Sequence, residues 1–153
     1  ISENVLNESI LLVDDSSGNS TENITLQISA LEILSENRWT RASAPALSYF
    51  DLSKKLYDKS KMSGEQFKTV ITSLRNIAPL DAVNPLIDYL EELNDSTEKG
   101  KSVSTDIVLS IINTLGAIGN KAAFDSLLAV TYLNYEESVL TAAREALSGL
   151  RWQ

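Results

Sequence analysis

The chain has 153 residues, of which 43% are hydrophobic, and it carries 13 basic against 21 acidic side chains. This length fits one domain, and the apolar fraction is too high for a disordered chain. Because Cys and His are both absent, the sequence excludes thiolate nucleophiles, disulfides and metal sites built on thiolate or imidazole. The net charge of −8 argues against a nucleic-acid surface and against an anionic-membrane surface, since both need a dense basic face.

The sequence also bears on location. No apolar run approaches the ~20 residues that span a bilayer, so we expect no direct membrane insertion. The chain begins at Ile1 and not at Met, which indicates a processed chain or a piece of a longer one. This favours an exported, periplasmic or cell-envelope location over a cytoplasmic one.

Internal repetition is the strongest signal in the sequence. The apolar positions of Val70–Ile77 coincide with those of Ile111–Ile118 at an offset of 41 residues. Ala44–Phe50 falls on Asn84–Leu90 at an offset of 40 residues. Self-similarity with a period in this range is typical of stacked helical repeats. Each repeat unit reads as two helices.

Apolar residues spaced i, i+3, i+4 and i+7 predict about eight helices. In chain order we predict them over residues 3–13, 23–36, 43–57, 65–78, 82–94, 105–118, 121–133 and 137–150. No segment shows the strict alternation of a strand. Polar loops are expected at Asp14–Glu22, Asp58–Met62 and Asp95–Ser102, the last being the most mobile. Leu74 and Leu115 are each the central apolar residue of a first helix in the repeat and should be fully buried between paired helices.

Several residues predict where the helices begin and end. Ser63 with Gln66 forms a capping box, in which each side chain bonds to the other residue's backbone amide. Asn134 with Glu137 offers the same arrangement. The other expected ends are N-terminal caps at Asp81 and Asn120, and left-handed C-terminal residues at Gly119 and Gly149.

The segment Leu115–Leu128 resembles the turn between the two helices of a HEAT repeat of the bacterial type, and Val139–Leu150 resembles the first helix of a following repeat. This resemblance implies an all-α fold, an α-solenoid of stacked antiparallel helix pairs whose second helices line a concave side. It also implies a role in binding another protein. The single repeat domain would divide into a half-unit at 1–22, pairs at 23–62, 63–103 and 104–134, and a half-unit at 135–153. Either polar termini cap this stack, or the chain is a piece of a longer array.

No residue pattern indicates catalysis. The Ser and Lys residues of Ser53-Lys54-Lys55 and of Ser60-Lys61 do not have the order that a Ser–Lys nucleophile needs, and no glycine-rich phosphate loop is present, so we expect no enzyme activity and no cofactor. An acidic run on one helix face consists of Asp88, Glu91, Glu92 and Asp95. Carboxylates on a helix diverge, so we expect no tight metal site.

The predicted binding surface lies on the second helices. Its residues are Tyr49, Asp51, Asp88, Tyr89, Glu91, Glu92 and Tyr132. Tyrosine is favoured at interfaces because it buries a large area with little entropy loss. The alternative is that the acidic face is only solvated and that the tyrosines pack between helices. The expected partner is another protein with a basic surface or an amphipathic helix, not a nucleic acid, and the chain itself should be a monomer or a weak oligomer.

One basic cluster is present, formed by Lys54, Lys55, Lys59, Lys61 and Lys68. Lysines at a helix end complement the negative end of the helix dipole. The alternative is a docking point for an acidic partner or a phosphate.

Two functions remain open on sequence alone. The first is a non-catalytic protein–protein interaction scaffold. The second is a structural or accessory repeat domain of a larger secreted or envelope protein, with no dedicated binding site.

Overall fold

The computed structural model describes residues 21–152, with side chains from Ile24 onward, and regular structure in this range is helical. The predicted helix at 3–13 and the half-unit at 1–22 lie almost entirely outside these residues. The described residues form seven α-helices, which are α1 (Thr21–Glu36), α2 (Ser43–Asp58), α3 (Gly64–Ile77), α4 (Val83–Glu98), α5 (Thr105–Ile118), α6 (Phe124–Val130) and α7 (Glu137–Ser148). Short 3₁₀ turns at Thr40–Ala42 and Lys121–Ala123 precede α2 and α6. The predicted all-α fold is confirmed.

Three of the predicted helix ends are confirmed. The Ser63 hydroxyl accepts from the Gln66 amide at 3.1 Å, and the Gln66 side chain accepts from the Ser63 amide at 3.0 Å. Gly119 ends α5 with φ of 72°, a left-handed conformation that glycine adopts at little cost. Asn120 caps the 3₁₀ turn before α6, accepting from the Ala122 amide at 2.9 Å.

Three other predicted ends are wrong. The N-cap of α4 is Ala82 and not Asp81, because a right-handed turn leads into the helix and a capping side chain needs an extended backbone. The N-cap of α7 is Glu136, two residues beyond Asn134. Gly149 has φ of −90°, a right-handed conformation in a continuing turn.

Helix α4 is longer than predicted. The expected loop Asp95–Ser102 is helical as far as Glu98, so the connection to α5 is only residues 99–104. Lys99 Nζ lies 2.6 Å from an Asp95 carboxylate oxygen, and the Thr97 hydroxyl donates to the Leu93 carbonyl at 2.9 Å. These polar contacts between residues one turn apart stabilise the last turn of α4, which lacks apolar residues at helical spacing. Gly100, with φ of 76°, follows the end of the helix.

The chain divides into two compact units, unit 1 (Ile1–Pro79) and unit 2 (Leu80–Gln153). In unit 1, α1 and α2 both pack against α3. The Phe67 ring stacks on Phe50 and Tyr57, with centroids 6.1 and 4.9 Å away, and anchors α3 on α2. The boundary between units falls inside the predicted pair 63–103, and the solenoid arrangement of the whole chain stays a prediction.

In unit 2, α5 packs against α7, and α4 packs against α6. The first of these contacts is very close: a Cβ added at Gly116 would lie 2.8 Å from the Ala146 Cβ. After α7, the Arg151 amide donates to the Gly119 carbonyl at 2.8 Å, and the Trp152 ring meets Phe124 edge-on at 5.3 Å. The chain end is thereby fixed against the turn between α5 and α6.

Along the described helices, none is both long enough and apolar enough to cross a membrane.

The predicted burial of Leu74 and Leu115 is confirmed, with exposed fractions of 0% and 1%. Leu74→Ala and Leu115→Ala should each lower the free energy of unfolding by about 2–5 kcal/mol, because each leaves a cavity in a packed core. Leu80→Ala is the matched control, since Leu80 is 79% exposed. That change should shift stability by less than about 0.5 kcal/mol. Urea unfolding followed by circular dichroism measures all three, and core variants as stable as the control would refute the helix register.

Candidate partner-binding site

Two of the tyrosines predicted to bind a partner are buried. Tyr49 is completely enclosed and Tyr89 is 7% exposed, so both belong to the core and not to an accessible surface. The Tyr49 hydroxyl has no hydrogen-bond partner in the described part of the chain. Burial raises the pKa of Tyr49 well above its usual range, because an ionised phenolate would lose its hydration. The expectation that these two rings form part of a binding surface is corrected.

The predicted carboxylates are all exposed, but the structure does not gather them into one site. Asp51 lies in unit 1, whereas Asp88, Glu91 and Glu92 lie on α4 in unit 2. Tyr132 follows α6 and is 81% exposed, which is unusual for so large a ring. Of this set, the structure brings together Glu91 and Tyr132.

These two residues line a groove of about 440 Å³ between α4 and the α6 region of unit 2. Ligand pockets commonly have volumes in this range. We call it the acidic groove, and its lining residues are Glu91, Asn94, Asp95, Glu98, Asp125, Ser126, Ala129, Tyr132 and Leu133. The sequence analysis missed Asn94, Glu98, Asp125, Ser126 and Leu133. The spacing of Glu91, Asp95 and Glu98 at i, i+4 and i+7 is the signal that could have extended the acidic run.

A chain of hydrogen bonds holds the groove together. The Tyr135 hydroxyl donates to Asn94 Oδ1 at 2.9 Å, and Asn94 Nδ2 donates to the Ser126 carbonyl at 3.2 Å. The Ser126 hydroxyl donates in turn to Glu91 Oε1 at 3.0 Å. Burial raises the pKa of Tyr135 still further above neutrality, where a tyrosine hydroxyl is protonated and can donate in any case. The position of the Glu91 carboxylate is therefore restricted by a hydrogen bond from within unit 2.

The groove presents mainly hydrogen-bond acceptors and one aromatic ring. Ionised carboxylates only accept hydrogen bonds, so they favour cationic donors such as guanidinium and ammonium groups. An exposed tyrosine ring attracts the same cations through its π face. Ala129 and Leu133 add apolar surface beside the charges. Within the part of the chain that the structure describes, no group of three or more Asp or Glu residues is placed to hold a metal ion.

Comparisons of the chain with protein-family models, with curated proteins and with solved structures find no match. The resemblance to HEAT repeats therefore depends on the sequence alone and stays a hypothesis.

The burial of Tyr49 predicts how stability depends on pH. An unfolded tyrosine ionises near pH 10, whereas folded Tyr49 stays neutral to higher pH, so the free energy of unfolding should fall as the pH rises above about 10. Tyr49→Phe should reduce this loss. It should not abolish it, because the pKa values of Tyr135 and Lys99 are also raised, by burial and by the hydrogen bond to Asp95.

At pH 7 the same Tyr49→Phe variant should be more stable by up to about 1 kcal/mol, because it removes a buried hydroxyl that has no hydrogen-bond partner among the described residues. Urea unfolding at pH 7 and at about pH 11 measures both effects. A variant that is less stable at neutral pH, or that loses as much stability in alkali as the parent, would contradict this reading of the Tyr49 environment.

Proposed function

We propose that this chain is a non-catalytic protein-interaction module and that its acidic groove binds a basic segment of a partner protein. The observation that supports this most is the combination of several carboxylates, of which Glu91 accepts a hydrogen bond from Ser126, and an 81% exposed tyrosine ring in one groove. Soluble proteins usually cover a large ring or keep it away from other apolar surface. Here Tyr132 stands beside Leu133 and Ala129 in a concave site.

The charge of unit 2 supports the same proposal. Residues 80–153 carry eleven acidic and five basic side chains. Such an excess steers a basic partner toward the groove and raises the association rate at low salt. It repels nucleic acids and anionic lipids.

The helix packing in unit 2 supports a HEAT-like arrangement. The first helices of successive predicted pairs, α5 and α7, contact each other, and so do the second helices, α4 and α6. Stacked helix pairs produce these two layers. The acidic groove lies on the second-helix layer, where the resemblance places the binding surface.

The lining residues also indicate the kind of segment that fits. The carboxylates of Glu98 and Asp125 are exposed and can accept hydrogen bonds from water or from a partner. Leu133 and Ala129 contribute apolar surface to the same groove. A segment that places Arg or Lys next to an apolar residue satisfies both. Arg suits the groove better than Lys, since its planar guanidinium can pair with a carboxylate and stack on Tyr132.

The test uses a fluorescent synthetic peptide in which Arg alternates with Leu, with binding followed by anisotropy. We expect binding that weakens steeply between about 50 mM and about 500 mM salt, because exposed charges are screened. Tyr132→Ala and Glu98→Lys should each weaken binding about tenfold, which corresponds to about 1.4 kcal/mol.

Asp106→Lys is the matched control, because it makes the same charge change at an exposed position of unit 2 that does not line the groove. If Asp106→Lys weakens binding as much as Glu98→Lys does, only the net charge matters and the groove is not the site. A peptide of the same length in which every Arg is replaced by Asp should not bind.

A further inference from the structure

The basic side chains of this acidic protein are concentrated in one region. Residues 21–79 carry eight basic and six acidic side chains, against five and eleven in residues 80–153. Residues 21–79 are therefore net positive, whereas residues 1–20 carry four acidic and no basic side chains and unit 2 is strongly negative. The positive charge of unit 1 is densest where α2 ends.

Three exposed lysines lie there: Lys55 in the last turn of α2, Lys59 at its C-cap, and Lys61 in the turn that follows. We call these three residues the lysine end. No carboxylate of residues 24–152 lies within 4.0 Å of any of them. Lys61 also lines a hollow of about 620 Å³ at this end of the helix. The negative end of the helix dipole attracts one or two nearby cations, and among the residues whose side chains are described no carboxylate pairs with these ammonium groups.

We propose that a second copy of this chain occupies the acidic groove, with its lysine end placed against Glu98, Asp125 and Tyr132. The proposal rests on the proposed function, since it takes the groove to be a site for basic segments and identifies the segment. Each ammonium group can donate to a carboxylate oxygen of the groove. One of them can also lie over the exposed Tyr132 ring.

The acidic groove and the lysine end can be paired between two copies in three ways, and only one of these brings opposite charges together. Groove against groove would oppose eight carboxylates, of which only the two Asp95 groups are paired with Lys99, and lysine end against lysine end would oppose six ammonium groups. Lysine end against groove pairs opposite charges, so the contact is between different surfaces of the two copies. The net charge of −8 on each copy opposes the approach, which makes the association weak and dependent on salt.

The first test is the mass of the intact chain in solution, measured by sedimentation at several protein concentrations. At about 20 mM salt the average mass should rise above the monomer value as concentration increases, and at about 500 mM salt it should return to that value. The monomer mass is 16.8 kDa. A chain that remains monomeric at millimolar concentration in low salt overturns the proposal.

Two charge-reversal variants locate the contact. The groove variant carries Glu98→Lys and Asp125→Lys, and the lysine variant carries Lys55→Glu and Lys61→Glu. Each should be monomeric by itself in low salt, with an unchanged circular dichroism spectrum. The matched controls are Asp106→Lys with Glu137→Lys, and Arg41→Glu with Arg75→Glu, which make the same charge changes at exposed positions elsewhere. Both controls should still associate.

The decisive experiment mixes the two variants. The groove variant retains an intact lysine end and the lysine variant retains an intact groove, so the mixture should associate although neither component does alone. Association that survives in either variant alone, or a mixture that remains monomeric, overturns the proposal.

The peptide experiment separates this inference from the proposed function. Binding of the Arg–Leu peptide by a chain that never associates with itself refutes the second copy as occupant and leaves the groove as a site for another basic protein. Failure of both peptide binding and self-association refutes the groove as a binding site altogether. Competition between the peptide and the second copy, seen as loss of mass when peptide is added, is the expected result.

Discussion

The groove of unit 2 depends on one buried side chain, Asn94. It lies on α4 with 7% exposure, and it uses both ends of its amide: Nδ2 donates to the Ser126 carbonyl of α6, and Oδ1 accepts from Tyr135. If this buried amide lost these partners, the fold would be strongly destabilised, because the surrounding side chains cannot supply the hydrogen bonds that water would make. The separation of α4 and α6 is therefore set by hydrogen-bond length as well as by apolar packing. The width of the groove follows from that separation.

Much of the helical structure could be predicted because its signals are local. The i, i+3, i+4 and i+7 apolar spacing of α3 and α5 identifies one buried face, and the Ser63 capping box marks where α3 begins. The end of α4 could not be predicted in the same way. Its last turn, Asp95–Glu98, buries no apolar residue and continues through polar contacts such as that between Asp95 and Lys99. A prediction based on apolar spacing therefore ends α4 one turn too early.

The site was predicted only in part, and for a physical reason. The carboxylates of α4 share a helix face, so spacing alone brings Glu91 and Asp95 together. Ser126 joins them from a segment 35 residues away, and no local pattern records that contact. The tyrosines show the opposite error. Repetition places Tyr49 and Tyr89 at equivalent positions, but it does not say which face of the helix those positions occupy, and packing buries both.

The hydrogen bond from Ser126 to Glu91 has a consequence for recognition. A carboxylate has about four acceptor positions, so one internal donor leaves Glu91 able to accept from a partner as well. The internal bond fixes the rotamer, which removes part of the ordering cost that binding would otherwise carry. Glu98 and Asp125 are exposed, so their attraction is screened by salt and acts mainly on the association rate. The groove thus combines one hydrogen-bonded carboxylate with exposed ones at its edge, and under the proposed function any affinity beyond simple charge attraction has to come from Glu91 and from covering the Tyr132 ring.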